Sequence, residues 1–172
     1  MYRRNVVGFS ALVVGLTMLP GSASAQQKSV KDQLVGTWTL LIADNIKDDG
    51  THMPVFGPNP EGILIFTTDG HYSLQIFHNN RPAFTSKDRI AGTADENKAA
   101  VQGMISHFGT YMVDEAGKTF TFRVDASSFP NWDATSQKRT LTAITDEVLT
   151  FNNPTPSTSG YVRAELAWKK AK

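Results

Sequence analysis

The stretch Leu34-Val35-Gly36-Thr37-Trp38-Thr39-Leu40 decides how the rest of this chain is read. It carries the alternation of a half-buried strand, extended through Ile42, with Trp38, Leu40 and Ile42 on one side and Thr37, Thr39 and Leu41 on the other. A tryptophan at the start of the first strand of a small antiparallel barrel can plug one end of it. About seven further strand-like segments follow, so the expectation is a closed sheet opened by Trp38.

Those segments are Gly62 to Thr67, His71 to Phe77, His107 to Val113, Lys118 to Asp125, Gln137 to Ile144, Val148 to Phe151 and Tyr161 to Lys169. Asp69-Gly70 is a hairpin signal, and Asp114 to Gly117 and Thr145 to Glu147 are further short links. Short links favour antiparallel neighbours. Eight antiparallel strands can close and lose their edges. The predicted fold is all-β, an eight-stranded antiparallel up-and-down barrel. Ala94 to Ser106, acidic at its start and rich in alanine, is the one predicted helix, between the third and fourth strands. A β-sandwich is the alternative.

The first 25 residues read as a cleaved secretory signal peptide. Arg3 and Arg4 precede an uncharged, mostly apolar run from Val6 to Leu19, and Ala23-Ser24-Ala25 is a small-x-small cleavage pattern. That run is short beside the roughly 20 residues of a membrane span. Residues 26–172 then form one domain, and the expected location is secreted or periplasmic with no membrane anchor after cleavage. Without Arg3 and Arg4 the 17 basic residues fall to 15 against 16 acidic ones, a net charge of −1. No long basic run exists, which argues against nucleic acid as a partner. The chain has no cysteine, which excludes disulfides, thiolate metal sites and cysteine nucleophiles.

Four segments in order resemble one family. The first strand fits L-x-G-T-W-x-L over Leu34 to Leu40, and Gly62 to Ser73 fits G-x-L-x-F-T-x-D-G-x-Y-S. Gly109 to Thr121 and Phe129 to Arg139 add G-T-Y-x-V-D-E-A-G-K-T-x-T and F-P-N-W…Q-K-R. The chain resembles the lipocalins, and more closely the bacterial and fungal group called the lipocalin-like domain family. The resemblance implies a calycin-type barrel rather than any particular reaction. It also implies a basic residue stacked on Trp38, for which Arg163 and Lys169 are the candidates; both lie on the face opposite Trp168.

Candidate ligand-binding residues are Leu40, Phe66, Tyr72, Leu74, Phe120 and Phe122 as walls, with Tyr111 as an inward polar tip. Arg123 shares a strand face with Thr121 and Asp125; it is a ligand-binding candidate if that face points inward and solvated otherwise. Trp132 sits in Phe129-Pro130-Asn131-Trp132, which either presents aromatics to a partner or folds back over a barrel end. Arg139 follows, within reach of Asp125 or Asp133. His52, His71, His78 and His107 show no H-x-H or HExxH spacing, so no metal is expected, and no motif calls for a cofactor. Asp44 to Glu61 reads as a lid over a mouth or an Ω-loop packed by Met53, Val55 and Phe56. The leading expectation is an exported barrel binding a small, largely apolar molecule. The alternatives are a barrel enzyme of cyclase or isomerase type acting on a small apolar metabolite, with Tyr111, Arg123 and Arg139 as its polar groups, and a module without a cavity that binds another protein.

Overall fold

A computed structural model describes residues 28–172; the signal-peptide reading falls on residues outside them. A short helix, α1 (Val30–Leu34), leads into β1 (Gly36–Ile46), the short β2 (His52–Pro54), β3 (Glu61–Phe66) and β4 (His71–Phe77). Helix α2 (Ala94–Gln102) precedes β5 (Met104–Asp114) and β6 (Thr119–Ser127), and a single 3-10 turn (Pro130–Trp132) precedes β7 (Ser136–Ile144), β8 (Val148–Asn153) and β9 (Arg163–Lys170). All pairings are antiparallel, in the order β1-β3-β4-β5-β6-β7-β8-β9, and β9 pairs back onto β1. The sheet is a closed eight-stranded up-and-down barrel, with β2 as an extra strand on the far half of β1. Among the described residues no helix is long and apolar enough to cross a membrane.

The closed end is built around Trp38. Its ring is fully buried, and its indole N–H donates to the Leu34 carbonyl at 2.8 Å. Leu34, expected in the first strand, instead ends α1 and plugs the barrel floor. That helix is held at its start by Glu115 of the β5–β6 turn, whose carboxylate accepts from the Val30 and Lys31 amides at 2.8 and 3.1 Å. The cation on Trp38 is neither Arg163 nor Lys169. It is Lys170, whose Nζ lies 4.2 Å from the ring centroid and donates to the Val35 and Gln33 carbonyls at the end of α1. Lys170 shares inward parity with Trp168, two residues before it; Lys169 is exposed.

The core above the floor is aromatic. Phe66 packs edge-on against Tyr111 and Phe120, and Phe120 against Phe122 and Phe151, with centroids 4.8 to 5.7 Å apart. Gly109 lets β5 and β6 meet where Asp125 bulges between Val124 and Ala126. A Cβ there would collide with the Arg123 carbonyl.

Three boundaries differ from expectation. A second bulge interrupts β1 at Leu41, so Leu40 faces Trp168 and Ile42 faces Ala167. Ile42, expected inside, is 47% exposed, while Ala43 and Asn45 turn inward and are buried. Helix α2 stops at Gln102 because Gly103 caps it, and Met104 to Ser106 pair with β4 instead. Part of the expected lid continues β1 to Ile46 and returns along it as β2. Helix α2 buries none of its residues; it is fixed by a Thr93–Glu96 capping box, with Glu96 also accepting from Thr85.

Truncating Lys170 to alanine should lower the unfolding free energy by about 1–2 kcal/mol, since it removes a shielded cation–π contact and a helix cap. Lys169→Ala should stay within about 0.5 kcal/mol. Urea denaturation of the two variants separates them, and equal losses would contradict this placement of the cation.

Candidate functional site

The interior of the upper half is not filled. The open end lies where β1 and β9 reach Ile46 and Arg163, and where β4, β5 and β8 reach Phe77, Met104 and Asn153. A cavity of about 90 Å³ opens there. Its walls are apolar, chiefly Leu74, Ile76, Ile105, Phe151 and Leu166. The mouth is rimmed by Val55 and Phe56 after β2, by Pro156 to Thr158 of the β8–β9 loop, and by Trp132. The Pro130–Trp132 turn therefore folds back over the barrel end, with the Trp132 ring edge-on to His107 at 5.7 Å.

Polar groups enter this apolar space from four strands. Asn45 comes from β1, His107 from β5, Arg139 from β7 and Asn153 from the end of β8. His107 is 3% exposed and its Nδ1 lies 2.8 Å from the Tyr72 hydroxyl of β4. Burial, aided by the nearby Arg139 charge, pushes the His107 imidazole down to about 3, so it is neutral at pH 7. Burial raises the Tyr72 phenol, against a smaller lowering pull from Arg139.

Arg139 is the unusual member. It is 6% exposed and its guanidinium lies 5.5 Å from the Phe122 ring centroid. Its Nη1 donates to the Lys138 carbonyl at 3.0 Å and to Asn153 Oδ1 at 3.2 Å, and its Nη2 to Gln137 Oε1 at 2.6 Å. Every one of these acceptors is neutral. Among the described residues no carboxylate is paired with it, Asp125 and Asp133 included. Burial lowers its affinity for a proton to about 10, which leaves it charged at neutral pH. A buried cation without a counter-charge is costly, by several kcal/mol for an unpaired ion.

The comparisons with known proteins bear on the fold. A family model for the lipocalin-like domain matches residues 35–171, nearly the whole described chain. The chain belongs to the lipocalin-like domain family. No curated protein matches it. Among solved structures it is similar to a redesigned beta barrel at 13% identity and a TM-score of 0.43, over 85% of this chain and 98% of that one.

Within this lipocalin-like barrel the residues singled out from sequence divide into three groups. Leu74, Trp132 and Arg139 line the cavity. Leu40, Phe66, Phe120 and Phe122 are buried in the packed core, and Tyr72 reaches the site through His107. Tyr111 is inward, yet its hydroxyl donates to the Thr67 carbonyl at 2.9 Å, towards the closed end. Arg123 points to solvent, as does Asp125 on the same face, because Phe120, Phe122 and Val124 take the inner positions of β6. Asn45, His107 and Asn153 were not among the candidates. His107 was legible from parity with Tyr111, whereas Asn45 was hidden by the Leu41 bulge. The remaining histidines lie apart: His52 contacts Asp44, His71 contacts Asp69, and His78 packs near Gly57. Among the described residues no three His, Asp or Glu side chains gather as a metal site would require.

The neutral His107 gives a pH signature. Its folded value, about 3, lies below the ordinary 6.5, so in that window the unfolded chain binds a proton that the folded one refuses. Stability should therefore fall as pH drops below 6.5, by up to about 1.4 kcal/mol per pH unit. Between about pH 6.5 and 5.5 ordinary carboxylates are still almost fully ionised, which separates the histidine contribution from theirs. His107→Gln should flatten that slope in stepwise urea denaturations; an unchanged slope would mean that His107 is not the group responsible.

Proposed function

We propose that this protein is an exported container that holds one small, largely apolar molecule in the open half of its barrel. The lipocalin-like fold itself suits small-molecule binding. The observation that carries the proposal is the unfilled space between Leu74, Ile76, Ile105, Phe151 and Leu166, crossed by only a few polar groups. Such walls favour an apolar body, and the polar groups fix its orientation. The amino-terminal pattern from Arg3 to Ala25 supports export to the periplasm or the exterior.

His107 at the cavity and Tyr72 behind it support holding over turning over. General acid–base work is most effective when the acting group titrates near the operating pH. His107 and Tyr72 are pushed the other way, the imidazole towards a poorer base and the phenol towards a poorer acid. The cavity also speaks against a barrel filled entirely by side chains.

Native mass spectrometry of the protein purified from its producing host, compared with the denatured mass, tests the container reading. A reproducible extra mass lost on denaturation is the expected result. An Ile105→Trp variant, which places a large ring in the cavity, should fold and lose that mass. A bare wild-type protein that gains nothing from a lipid and metabolite extract would overturn the reading.

A further inference from the structure

Arg139 has more hydrogen-bond donors than the protein supplies acceptors. A guanidinium carries five N–H groups. Three are taken, two on Nη1 by Lys138 and Asn153 and one on Nη2 by Gln137, which leaves the Nε–H and the second Nη2–H without a partner among the described residues. The shortage extends to its neighbour: Gln137 gives its Oε1 to Arg139, and its Nε2 is buried with no acceptor at all. The charge is uncompensated as well. Asp44 and Glu165 also border the cavity, from β1 and β9, but their carboxylates are engaged by His52 at 3.1 Å and by Arg163 at 2.8 Å rather than by Arg139. The other ionisable groups facing Arg139, His107 and Tyr72, are both neutral at pH 7.

A site short of acceptors and one negative charge calls for a ligand group that has both. We propose that the molecule held in the cavity is a small aliphatic carboxylic acid, its carboxylate on the free N–H groups of Arg139 and its chain against the apolar walls. This deepens the container reading and rests on it. A carboxylate is acceptor-only, and its two oxygens match a guanidinium fork. A ketone or alcohol oxygen accepts too, but it leaves the buried charge uncompensated. The walls set the rest of the ligand. Leu74, Ile76, Ile105, Phe151 and Leu166 suit an aliphatic chain. Asn153 and Gln137 position the guanidinium from two sides, so that its free edge is held in place before the ligand arrives.

Calorimetric titration near pH 7 with butanoate, hexanoate, octanoate and decanoate, each beside the primary alcohol of the same length, tests this. At the best length the acid should bind at least about tenfold more tightly than its alcohol, the size expected when a buried charge is neutralised by a charge-assisted pair. The indole N–H signal of Trp132 should shift during the titration, which places the ligand in the barrel mouth. Arg139→Gln should bring acid and alcohol to equal affinity, whereas Arg139→Lys should keep part of the preference. The amide fingerprint of each variant reports whether it is folded, and the wild-type comparison needs no variant. Acid and alcohol binding equally well to the wild type would overturn the proposal and leave the container reading standing. Acid binding that survives Arg139→Gln in a folded protein would also overturn it, since the carboxylate would then sit elsewhere. No binding by any acid would overturn it too, and the native mass measurement would then judge the container reading by itself.

Discussion

The pairing of β1 with β9 is the contact on which the rest of the molecule depends. β1 bonds to β3 on one side and to β9 on the other, and that second partner turns an open meander into a barrel without edges. The same strand then builds both ends. Its first residues bring Trp38 to the floor, where α1 and Lys170 close around the ring. Past the Leu41 bulge its inner face continues as Ala43 and Asn45, which line the open half. Without the bulge the inward positions would be Ile42 and Asp44 in place of Ala43 and Asn45. One extra residue thus changes which side chains face the open half.

Two halves of unequal character result. The lower half is a packed aromatic core, with Phe66, Phe120, Phe122 and Phe151 in edge-on contact and hydrogen bonds spent within the protein, as Tyr111 is on Thr67. Each such buried side chain contributes about 1.5–3 kcal/mol. The upper half holds the polar groups that such a core excludes. A buried guanidinium without a counter-charge works against folding by an amount comparable to one or two of those aromatic contributions. The lower half supplies the stability that lets Arg139 persist, and Asn153, Gln137 and the Lys138 carbonyl confine it to one place.

Much of this was legible in the chain. Strand number, the antiparallel order and the helix before the fourth main strand followed from alternation and turn residues, because those signals are local. The inward face of β6 was legible for the same reason, since Phe120, Phe122 and Val124 alternate cleanly with polar residues. What escaped was set by non-local register. The bulges at Leu41 and Asp125 shift parity only because a neighbouring strand lacks the matching residue. The partner of Trp38 was sought in Arg163 and Lys169, although Lys170 has the parity of Trp168. Arg139 could be named from its position before Leu141 on one strand face, but not its lack of a carboxylate, which depends on where Asp44, Asp125 and Glu165 point in the closed barrel.

The barrel keeps one buried guanidinium, two of its donors unpartnered among the described residues, beside an unfilled interior. A crystal structure of the protein taken directly from its producing host tests it most directly. The expected result is electron density in the open half, with an acceptor oxygen about 3 Å from the Nε or Nη2 of Arg139. Arg139 paired to a carboxylate of its own chain, or swung out to solvent over a collapsed interior, would contradict it.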